Sequence, residues 1–407
     1  MSVSSFLPVE EQLNLIRRGV VDLIPEEELK DKLSRSAAKN QPLRIKLGCD
    51  PTRPDLHLGH SVILRKLRQF QELGHHAILI IGDFTALIGD PTGQNKTRPA
   101  LTPEEIKENA QTYLEQAHRI LDPEKTEIVY NSDWLAALGF MDLIKISSRI
   151  TVARMIERDD FSKRYKANEP ISLHEFLYPL AQGMDSVHLK SDVELGGTDQ
   201  KFNLLIGRDL QRSEDLEPQV ILTMPLLVGT DGVQKMSKSY DNYIGISEKP
   251  EEMYGKVLSI PDELIMSWFE LLTNVSDAEL ESFRKQAVED PRNTKHALAF
   301  HITEAFHSTE LAQYAREYFE QTVINKEVPD DAPVFRQPVG TSMKLMEILV
   351  TLGFASSNGE AKRLIQQGGV SLNDEKATDI HQEFEFSTND EIVLKAGKRK
   401  FAILVKE

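Results

Sequence analysis

Hydrophobic and polar positions along the first 130 residues form short apolar runs separated by amphipathic stretches. Residues 43–48 predict a strand that ends at Asp50, and 77–81 and 126–130 predict two more buried strands. Between the first two, residues 58–73 place Leu64, Leu67 and Phe70 on one helical face before Gly74. Strands that alternate with helices predict a parallel sheet covered on both faces.

The pattern continues as far as about residue 245. Residues 193–195 and 219–223 are further strand candidates, and Thr102 with Pro103 predicts a helix start. The predicted fold class is therefore α/β, a Rossmann-like doubly wound parallel sheet, followed by a helical domain and a small α+β module. Such a sheet binds its ligand at the carboxyl ends of its strands. Candidate polar residues follow these ends: His57, Asp90, Asn131, Asp199 and the loop at Lys235.

The periodicity changes after this region. Residues 247–322 are helical and amphipathic, and residues 328–341 carry three prolines without any period, which is typical of a linker. The predicted organisation is an N-terminal helical segment (1–40), the Rossmann-like catalytic domain (41–245), a helical domain (246–327), the linker (328–341) and a carboxyl-terminal module (342–407).

Composition restricts the function classes. The chain has 407 residues, a formal net charge of −16 and one cysteine, Cys49. A single cysteine excludes a disulfide framework and a Cys-x-x-Cys zinc cluster. The amino terminus has no secretory pattern and no apolar run is long enough to span a membrane, which predicts a cytoplasmic protein. The acidic balance disfavours a general nucleic-acid coat but leaves room for a local RNA footprint.

Two motifs carry the chemistry. His57-Leu58-Gly59-His60 opens a predicted helix, whose free N–H groups suit a phosphate, and Gly59 would let a nucleotide approach the backbone. Lys235-Met236-Ser237-Lys238-Ser239, beside the hinge-like residues 229–232, gathers positive charge and hydroxyl donors that suit a departing pyrophosphate. Surface histidines and a solvated charge run are the simpler interpretations, and each motif weakens the simpler interpretation of the other.

Other polar residues sit where a ligand is expected. Asp50 and Asp90 lie in turns after strands, where they could form turns or meet a ligand's ammonium group. Gly197 and Asp199 follow a strand, and Asp199 could accept from ribose hydroxyls or cap a helix. Three polar side chains share one face of a predicted helix, which favours a pocket over a solvated face. These are Tyr178, Gln182 and Asp185.

These motifs together resemble the class I aminoacyl-tRNA synthetases, and among them the bacterial tyrosyl-tRNA synthetases. The resemblance covers nearly the whole chain from about Leu43. It implies ATP binding, with catalysis by His57, His60, Lys235 and Lys238. The implied nucleotide-binding residues are His57, Gly59, His60, Gly197, Asp199, Lys235, Met236, Ser237, Lys238 and Ser239. The implied tyrosine-binding residues are Asp50, Asp90, Asn131, Tyr178, Gln182, Asp185 and Gln200, with Lys46 in doubt.

Two positions depart from the family pattern. Lys46 stands where one branch has a tyrosine that meets the substrate hydroxyl, and strand alternation places it on the face of Gly48 and Asp50. Lys46 could replace that tyrosine or pair with an acid such as Asp185. Ile63 stands where a helix threonine could contact ribose. Both departures suggest a distinct bacterial subgroup.

The carboxyl-terminal module resembles a small alpha-L RNA-binding module. Its predicted phosphate contacts are Lys362, Arg363, Lys398, Arg399 and Lys400. The resemblance therefore implies L-tyrosine, ATP and tRNA(Tyr) as partners, a helical tRNA-binding domain, a homodimer, and Mg²⁺ that arrives with ATP without a dedicated protein metal site. A tryptophanyl enzyme, a nucleotidyltransferase of the same superfamily and a catalytically silent RNA-binding relative remain the alternatives.

Overall fold

The computed structural model describes residues 6–52, 55–91, 102–325, 328–329, 332–337, 342–385, 391–397 and 400–406. Contacts divide the chain into two compact units. The first unit comprises Met1–Glu248 with Lys256–Phe306, and the second comprises Lys249–Gly255 with His307–Glu407. Within the described ranges, no helix is long and apolar enough to cross a membrane. The five-segment organisation given above stays a prediction.

A six-stranded sheet forms the centre of the first unit. Its order is β1-β6-β5-β2-β3-β4, with β1 antiparallel to β6 and the other neighbours parallel. The chain runs outward from β2 on one side and from β5 on the other, so a ligand crevice is expected between these two strands. The strands are β1 Asp22–Ile24, β2 Arg44–Cys49, β3 His76–Ile81, β4 Thr126–Tyr130, β5 Val193–Gly197 and β6 Val220–Met224. The predicted α/β fold class is confirmed.

The helices up to Phe306 comprise those of the sheet region and those of the helical region after it. In chain order they are α1 Val9–Arg17, α2 Glu26–Lys39, α3 Leu58–Glu72, α4 Thr85–Ile88, α5 Pro103–Ala117, α6 Ser132–Leu135, α7 Phe140–Ser147, α8 Val152–Ile156, α9 Asp159–Lys166, α10 Leu177–Leu189, α11 Lys201–Ser213, α12 Pro250–Leu258, α13 Ile265–Leu272, α14 Asp277–Glu289 and α15 Pro291–Phe306.

Local chemistry explains the helix bounds. In α3 the predicted apolar face is buried, and Gly74 takes a positive φ of 88° just after the helix. Helix α5 begins at Pro103 behind Thr102, whose hydroxyl accepts from the Glu105 N–H, as predicted. Helix α15 begins at Pro291, because proline suits a first helical turn and the Asp290 side chain accepts from the Asn293 N–H.

The amino-terminal segment differs from its prediction. Residues 1–40 were predicted as helical, yet β1 lies between α1 and α2 and pairs with β6. The strand is only three residues long, Asp22–Ile24, so it is too short to show a period of its own. The segment thereby adds an edge strand to the sheet.

The second unit is a small α+β fold. Its core is built around Leu345, Ile348, Leu349 and Ile365. The main sheet has the order β10-β9-β12-β13-β7, and β8 pairs with β11. The elements after α15 are α16 Thr309–Phe319, β7 Val334–Gln337, β8 Ser342–Lys344, α17 Leu345–Thr351, α18 Asn358–Gln366, β9 Val370–Leu372, β10 Glu375–Lys376, β11 Glu383–Glu385, β12 Ile392–Ala396 and β13 Lys400–Lys406.

The predicted linker requires a correction. Residues 328–341 were predicted to form a linker, but β7 forms within them and pairs in parallel with β13. Proline cannot donate to a sheet, so it is confined to the ends of strands and to edge strands. Pro333 precedes β7 directly, and β7 is an edge strand of its sheet, so this strand is compatible with its proline-rich context.

Candidate active site

Two adjoining cavities lie at the carboxyl ends of β2 and β5, as the doubly wound topology predicts. The inner cavity has a volume of about 270 Å³ and is lined by Gly48, Asp50, Asn131, Tyr178 and Asp185, among others. The outer cavity has about 410 Å³ and is lined by the histidine motif, Asp199 and Lys235 to Ser239. Asp50, His60 and Gln200 line both, so the two cavities share a boundary.

The histidines form the amino end of α3. His57 Nδ1 accepts from the Gly59 N–H at 3.1 Å, and His60 Nδ1 accepts from the His57 N–H at 3.2 Å. Burial, with Lys238 nearby, lowers the pKa of His60 to about 4, and burial likewise lowers the pKa of His57. Both rings are therefore neutral, and because Nδ1 accepts, each Nε2 carries the proton. Each ring can donate to a phosphate oxygen.

Gly59 has a second role that its sequence position did not reveal. A Cβ at this position would lie 2.9 Å from the His57 ring. Glycine is therefore required for the packing of His57 over the helix start, independently of any approach by a nucleotide.

The Lys235–Ser239 segment is anchored at its backbone while its lysines point to acids. The Met236 N–H donates to the Leu227 carbonyl at 2.7 Å, and the Ser237 N–H donates to Asn242 Oδ1 at 2.8 Å. Lys235 Nζ lies 3.4 Å from Asp199, and Lys238 pairs with Asp55. Asn242, which sequence reasoning missed, also donates to Asp231 at 2.8 Å and so ties the two sides of the loop together.

The closed end of the inner cavity is organised around Asp185. Trp134 Nε1 donates to one carboxylate oxygen at 2.9 Å, and Asn131 Nδ2 donates to the other at 3.3 Å. Burial raises the pKa of Asp185 to about 7, while the positive charge of Lys46 and the two donors oppose this shift. A buried carboxylate with lone pairs remaining can accept from a ligand hydroxyl.

Asp50 occupies the boundary between the cavities. It accepts from Thr85 Oγ1 at 2.7 Å and from the Tyr178 hydroxyl at 2.9 Å. Burial raises its pKa to about 7, with the nearby charges of Asp90 and Asp185 adding to the effect. Tyr178 is thereby fixed on the face of α10 that was predicted to line a pocket.

Asp90, predicted to meet an ammonium group, has protein partners. Arg158 Nη2 lies 3.1 Å from one carboxylate oxygen, and Gln200 Nε2 donates to the other at 2.8 Å. Arg158 is only 4% exposed and escaped sequence reasoning, because an arginine in an unremarkable polar stretch carries no pattern. Asp90 and Gln200 nevertheless line the inner cavity together.

Lys46 pairs with Glu194, a partner that the sequence did not identify. Its ammonium lies 3.0 Å from Glu194, and it donates to the Gln182 carbonyl at 3.3 Å. The described lining of the inner cavity does not include Lys46. The expectation that Lys46 points into the pocket, as a hydroxyl partner or an Asp185 partner, is therefore corrected to an ion pair behind it. The sequence signal for this ion pair was Glu194, because an acidic residue within a buried strand requires a charged or hydrogen-bonding partner.

The predicted RNA contacts belong to the second unit. Lys362 and Arg363 are exposed on α18, which is capped by Ser357. Lys400 is exposed at the start of β13, and its ammonium donates to the Phe354 carbonyl at 3.1 Å. Lys398 and Arg399 lie outside the described residues. No cluster of three or more His, Cys, Asp or Glu side chains suited to a metal ion occurs within the described ranges.

Comparison with known proteins agrees with this geometry. A family model described as tRNA synthetases class I (W and Y) matches residues 38–323, and a tyrosine--tRNA ligase SYY-like C-terminal domain matches residues 324–404. The chain therefore belongs to the class I tRNA synthetases of the tryptophan and tyrosine group.

Individual relatives narrow the position within that class. The chain is 56% identical over 396 residues to a tyrosine--tRNA ligase of Chlorobaculum tepidum, which covers 97% of both chains. It is 53% identical to one from Thermotoga maritima, covering 96% of both. A solved tyrosyl-tRNA synthetase from Archaeoglobus fulgidus, complexed with L-tyrosine, aligns with a TM-score of 0.62 and 26% identity over 76% of this chain and 100% of that one. The resemblance to bacterial tyrosyl-tRNA synthetases is confirmed.

Proposed function

We propose that this protein is a tyrosine--tRNA ligase. It activates L-tyrosine with ATP to tyrosyl-adenylate and pyrophosphate, and then transfers tyrosine to the 3′ end of tRNA(Tyr). The observation that carries the proposal is the inner cavity, which ends at buried Asp185 and adjoins the histidine and lysine cavity. A phenol with an amino-acid backbone fits the first, and a nucleotide triphosphate fits the second.

The first step is an in-line displacement at phosphorus. A carboxylate oxygen of tyrosine attacks the α-phosphate, the bond to the bridging oxygen breaks, and pyrophosphate leaves with the electron pair. His57 and His60 donate to phosphate oxygens from Nε2, and Lys235 and Lys238 stabilise the charge that builds on pyrophosphate. Asp199 and Gly197 hold the ribose, and the hydroxyl groups of Ser237 and Ser239 donate to phosphate oxygens beside Met236 in the same segment. Mg²⁺ accompanies ATP.

Tyrosine is held by both ends of the inner cavity. Asp185 accepts from the phenol, and Asn131 keeps that carboxylate oriented. Tyr178, Gln182 and Asp90 receive the ammonium group, while Gln200 lies near the carboxylate and Asp50 fixes Tyr178. Phenylalanine offers no hydroxyl, so it would leave the remaining acceptor site of buried Asp185 unfilled, and tyrosyl-tRNA synthetases are an established example of discrimination by this effect.

In the second step the 2′- or 3′-hydroxyl of the terminal adenosine attacks the acyl carbon, the bond from that carbon to the phosphate oxygen breaks, and AMP leaves while its phosphate or solvent takes up the hydroxyl proton. Exposed Lys362, Arg363 and Lys400, with Lys398 and Arg399, contact tRNA phosphates.

An exposed apolar patch around α7, with Phe140 77% and Met141 64% exposed, supports a second copy of this chain as partner. A cytoplasmic location stays a prediction.

Amino-acid-dependent ATP–pyrophosphate exchange tests the function. Tyrosine is expected to support exchange, and tryptophan and phenylalanine are not. Exchange with tryptophan in place of tyrosine would assign the chain to the tryptophan branch of the family. Absence of exchange with every amino acid would indicate the catalytically silent alternative.

A further inference from the structure

Lys46 and Glu194 form a buried ion pair between two strands of the sheet. They are direct neighbours on the parallel strands β2 and β5, and each is only 1% exposed. Their ammonium and carboxylate groups are 3.0 Å apart. A buried ion pair is a poor source of stability, because desolvation offsets much of the attraction. Two apolar side chains at these positions would stabilise the sheet at least as well. The presence of the ion pair therefore needs an explanation other than stability.

The contacts of Glu194 lead towards the substrate pocket. One carboxylate oxygen receives Lys46 and Gln182 Nε2, the latter at 3.1 Å. The other receives Ser186 Oγ at 3.2 Å and Gln219 Nε2. An ionised carboxylate only accepts hydrogen bonds. Glu194 therefore obliges Gln182 to present its NH₂ group to the strand and to turn its amide oxygen the other way.

The amide oxygen of Gln182 is the atom that a cation needs. It accepts from Asn203 Nδ2 at 3.0 Å, and Gln182 lines the inner cavity beside Tyr178. If the amide were reversed, its NH₂ group would face the substrate ammonium, and donor would meet donor. The orientation of one amide thus decides whether this end of the pocket attracts or repels a positive group.

Lys46 also acts on the opposite end of the pocket. Its charge favours the ionised form of Asp185, whereas Glu194 disfavours it. Without Lys46, Asp185 would lie near Glu194 without that compensating positive charge, which would raise the pKa of Asp185 further. Lys46 also lies 3.0 Å from the Glu194 carboxylate oxygen that accepts from Gln182.

We propose that the Lys46–Glu194 pair is a positioning device that orients Gln182 for the ammonium group of the substrate. This inference rests on the proposed function, since it concerns the same amino-acid pocket. Glu194 and Lys46 are positioning residues and do not touch the substrate.

The test compares two ligands that differ at the ammonium end. L-tyrosinol carries the ammonium and the phenol, and 3-(4-hydroxyphenyl)propanoate carries the phenol without the ammonium. Glu194→Gln keeps the shape but can donate as well as accept, so it no longer fixes Gln182. We expect tyrosinol binding to weaken about tenfold, and propanoate binding to change less than about twofold. Calorimetry on the full chain measures both.

Lys32→Met provides the matched control. Lys32 is also 1% exposed and lies 3.1 Å from Asp192, in an ion pair where β5 begins, at the opposite end of the strand from the pocket. This variant is expected to lower the unfolding temperature without changing the ratio of the two affinities.

If Glu194→Gln folds poorly, the double variant Lys46→Met with Glu194→Gln removes both charges and is expected to show the same loss of tyrosinol preference.

If a folded Glu194 variant keeps the wild-type ratio of tyrosinol affinity to propanoate affinity, the positioning role is overturned. This holds when both affinities fall by the same factor and also when neither falls. That result leaves the proposed function intact if the wild-type protein exchanges pyrophosphate with tyrosine. A wild-type protein without tyrosine-dependent exchange overturns the proposed function and this inference with it.

Discussion

The inner and outer cavities adjoin, yet they use opposite kinds of polar contact. In the inner cavity, Asp185 and Asp50 each accept from two neutral donors, and these carboxylates are fixed by buried side chains. In the outer cavity, Lys235 and Lys238 pair with acids, and one member of each pair is exposed: Lys235 is 46% and Asp55 62% exposed, against 26% for Asp199 and 16% for Lys238. Pairs that solvent reaches in this way contribute little stability. The lysines can therefore leave their acids for a polyphosphate at small cost.

This contrast divides the work of the site. Fixed buried acceptors distinguish one amino acid from another, because a ligand that lacks the matching donor leaves a buried lone pair without its hydrogen bond. The weakly held cations of the outer cavity stabilise negative charge that appears only as pyrophosphate departs. Changes in the inner cavity should alter tyrosine binding, and changes in the outer cavity should alter the rate.

The largest effect is expected for Lys238→Ala. Removing one cation from the departing pyrophosphate should lower kcat for ATP–pyrophosphate exchange about 100-fold and leave the KM for tyrosine within about twofold. Steady-state exchange kinetics measure both. Lys190→Ala, which removes an exposed lysine at the end of α10, is the control and should match the wild type. A large rise in the tyrosine KM would contradict the division.

Asp185→Asn is expected to act on tyrosine itself. The amide keeps the shape of the side chain but loses the charge that the phenol donates to, so kcat/KM for tyrosine should fall about 30-fold. Activation of phenylalanine should not fall, because that substrate offers no hydroxyl. Asp215→Asn, at an exposed turn, serves as the control. Equal losses for tyrosine and phenylalanine would show that Asp185 supports the fold and does not read the hydroxyl.

The pH dependence of tyrosine binding should follow the same carboxylate. Burial raises the pKa of Asp185 to about 7, so below that pH the group is protonated and loses its ability to accept two donors and a phenol. The tyrosine KM should therefore rise about tenfold for each unit of pH below 7 and level off above it. Because the pKa of Asp50 is also raised to about 7, the profile is repeated with Asp50→Asn. A flat profile near pH 7 in that variant would contradict the assignment.

The smallest effect concerns the second unit. Replacing Lys362 and Arg363 with alanine should raise the KM for tRNA about fivefold, because two phosphate contacts are lost. Pyrophosphate exchange should stay unchanged, since neither cavity contains these residues. Aminoacylation and exchange assays measured side by side distinguish the two effects, with Lys39→Ala at the exposed end of α2 as control. Reduced exchange would show that the second unit acts on the catalytic site.

The local motifs and the sheet were predictable because their signals are local. Apolar runs located β2 to β6, and the strand ends located His57, Asn131 and Asp199. Short strands without a period, such as β1 and β7, were not predictable, because each forms only by pairing with a strand that is distant in the sequence.

Partners distant in sequence were also beyond prediction. Strand alternation indicated the face of Lys46 but could not identify Glu194, which meets it only through the register of β2 with β5. Trp134 and Arg158 likewise reach Asp185 and Asp90 only through tertiary packing. The sequence thus identified the residues that would meet the substrate better than the residues that hold them in place.

The division between the two cavities is tested most directly by a double variant, Asp185→Asn with Lys238→Ala, in the exchange assay. If the inner cavity governs binding and the outer cavity governs rate, the loss in kcat/KM for tyrosine equals the product of the two single losses, and the tyrosine KM matches that of Asp185→Asn alone. A double variant no worse than Lys238→Ala alone would contradict this account, because the two cavities would then act as one unit.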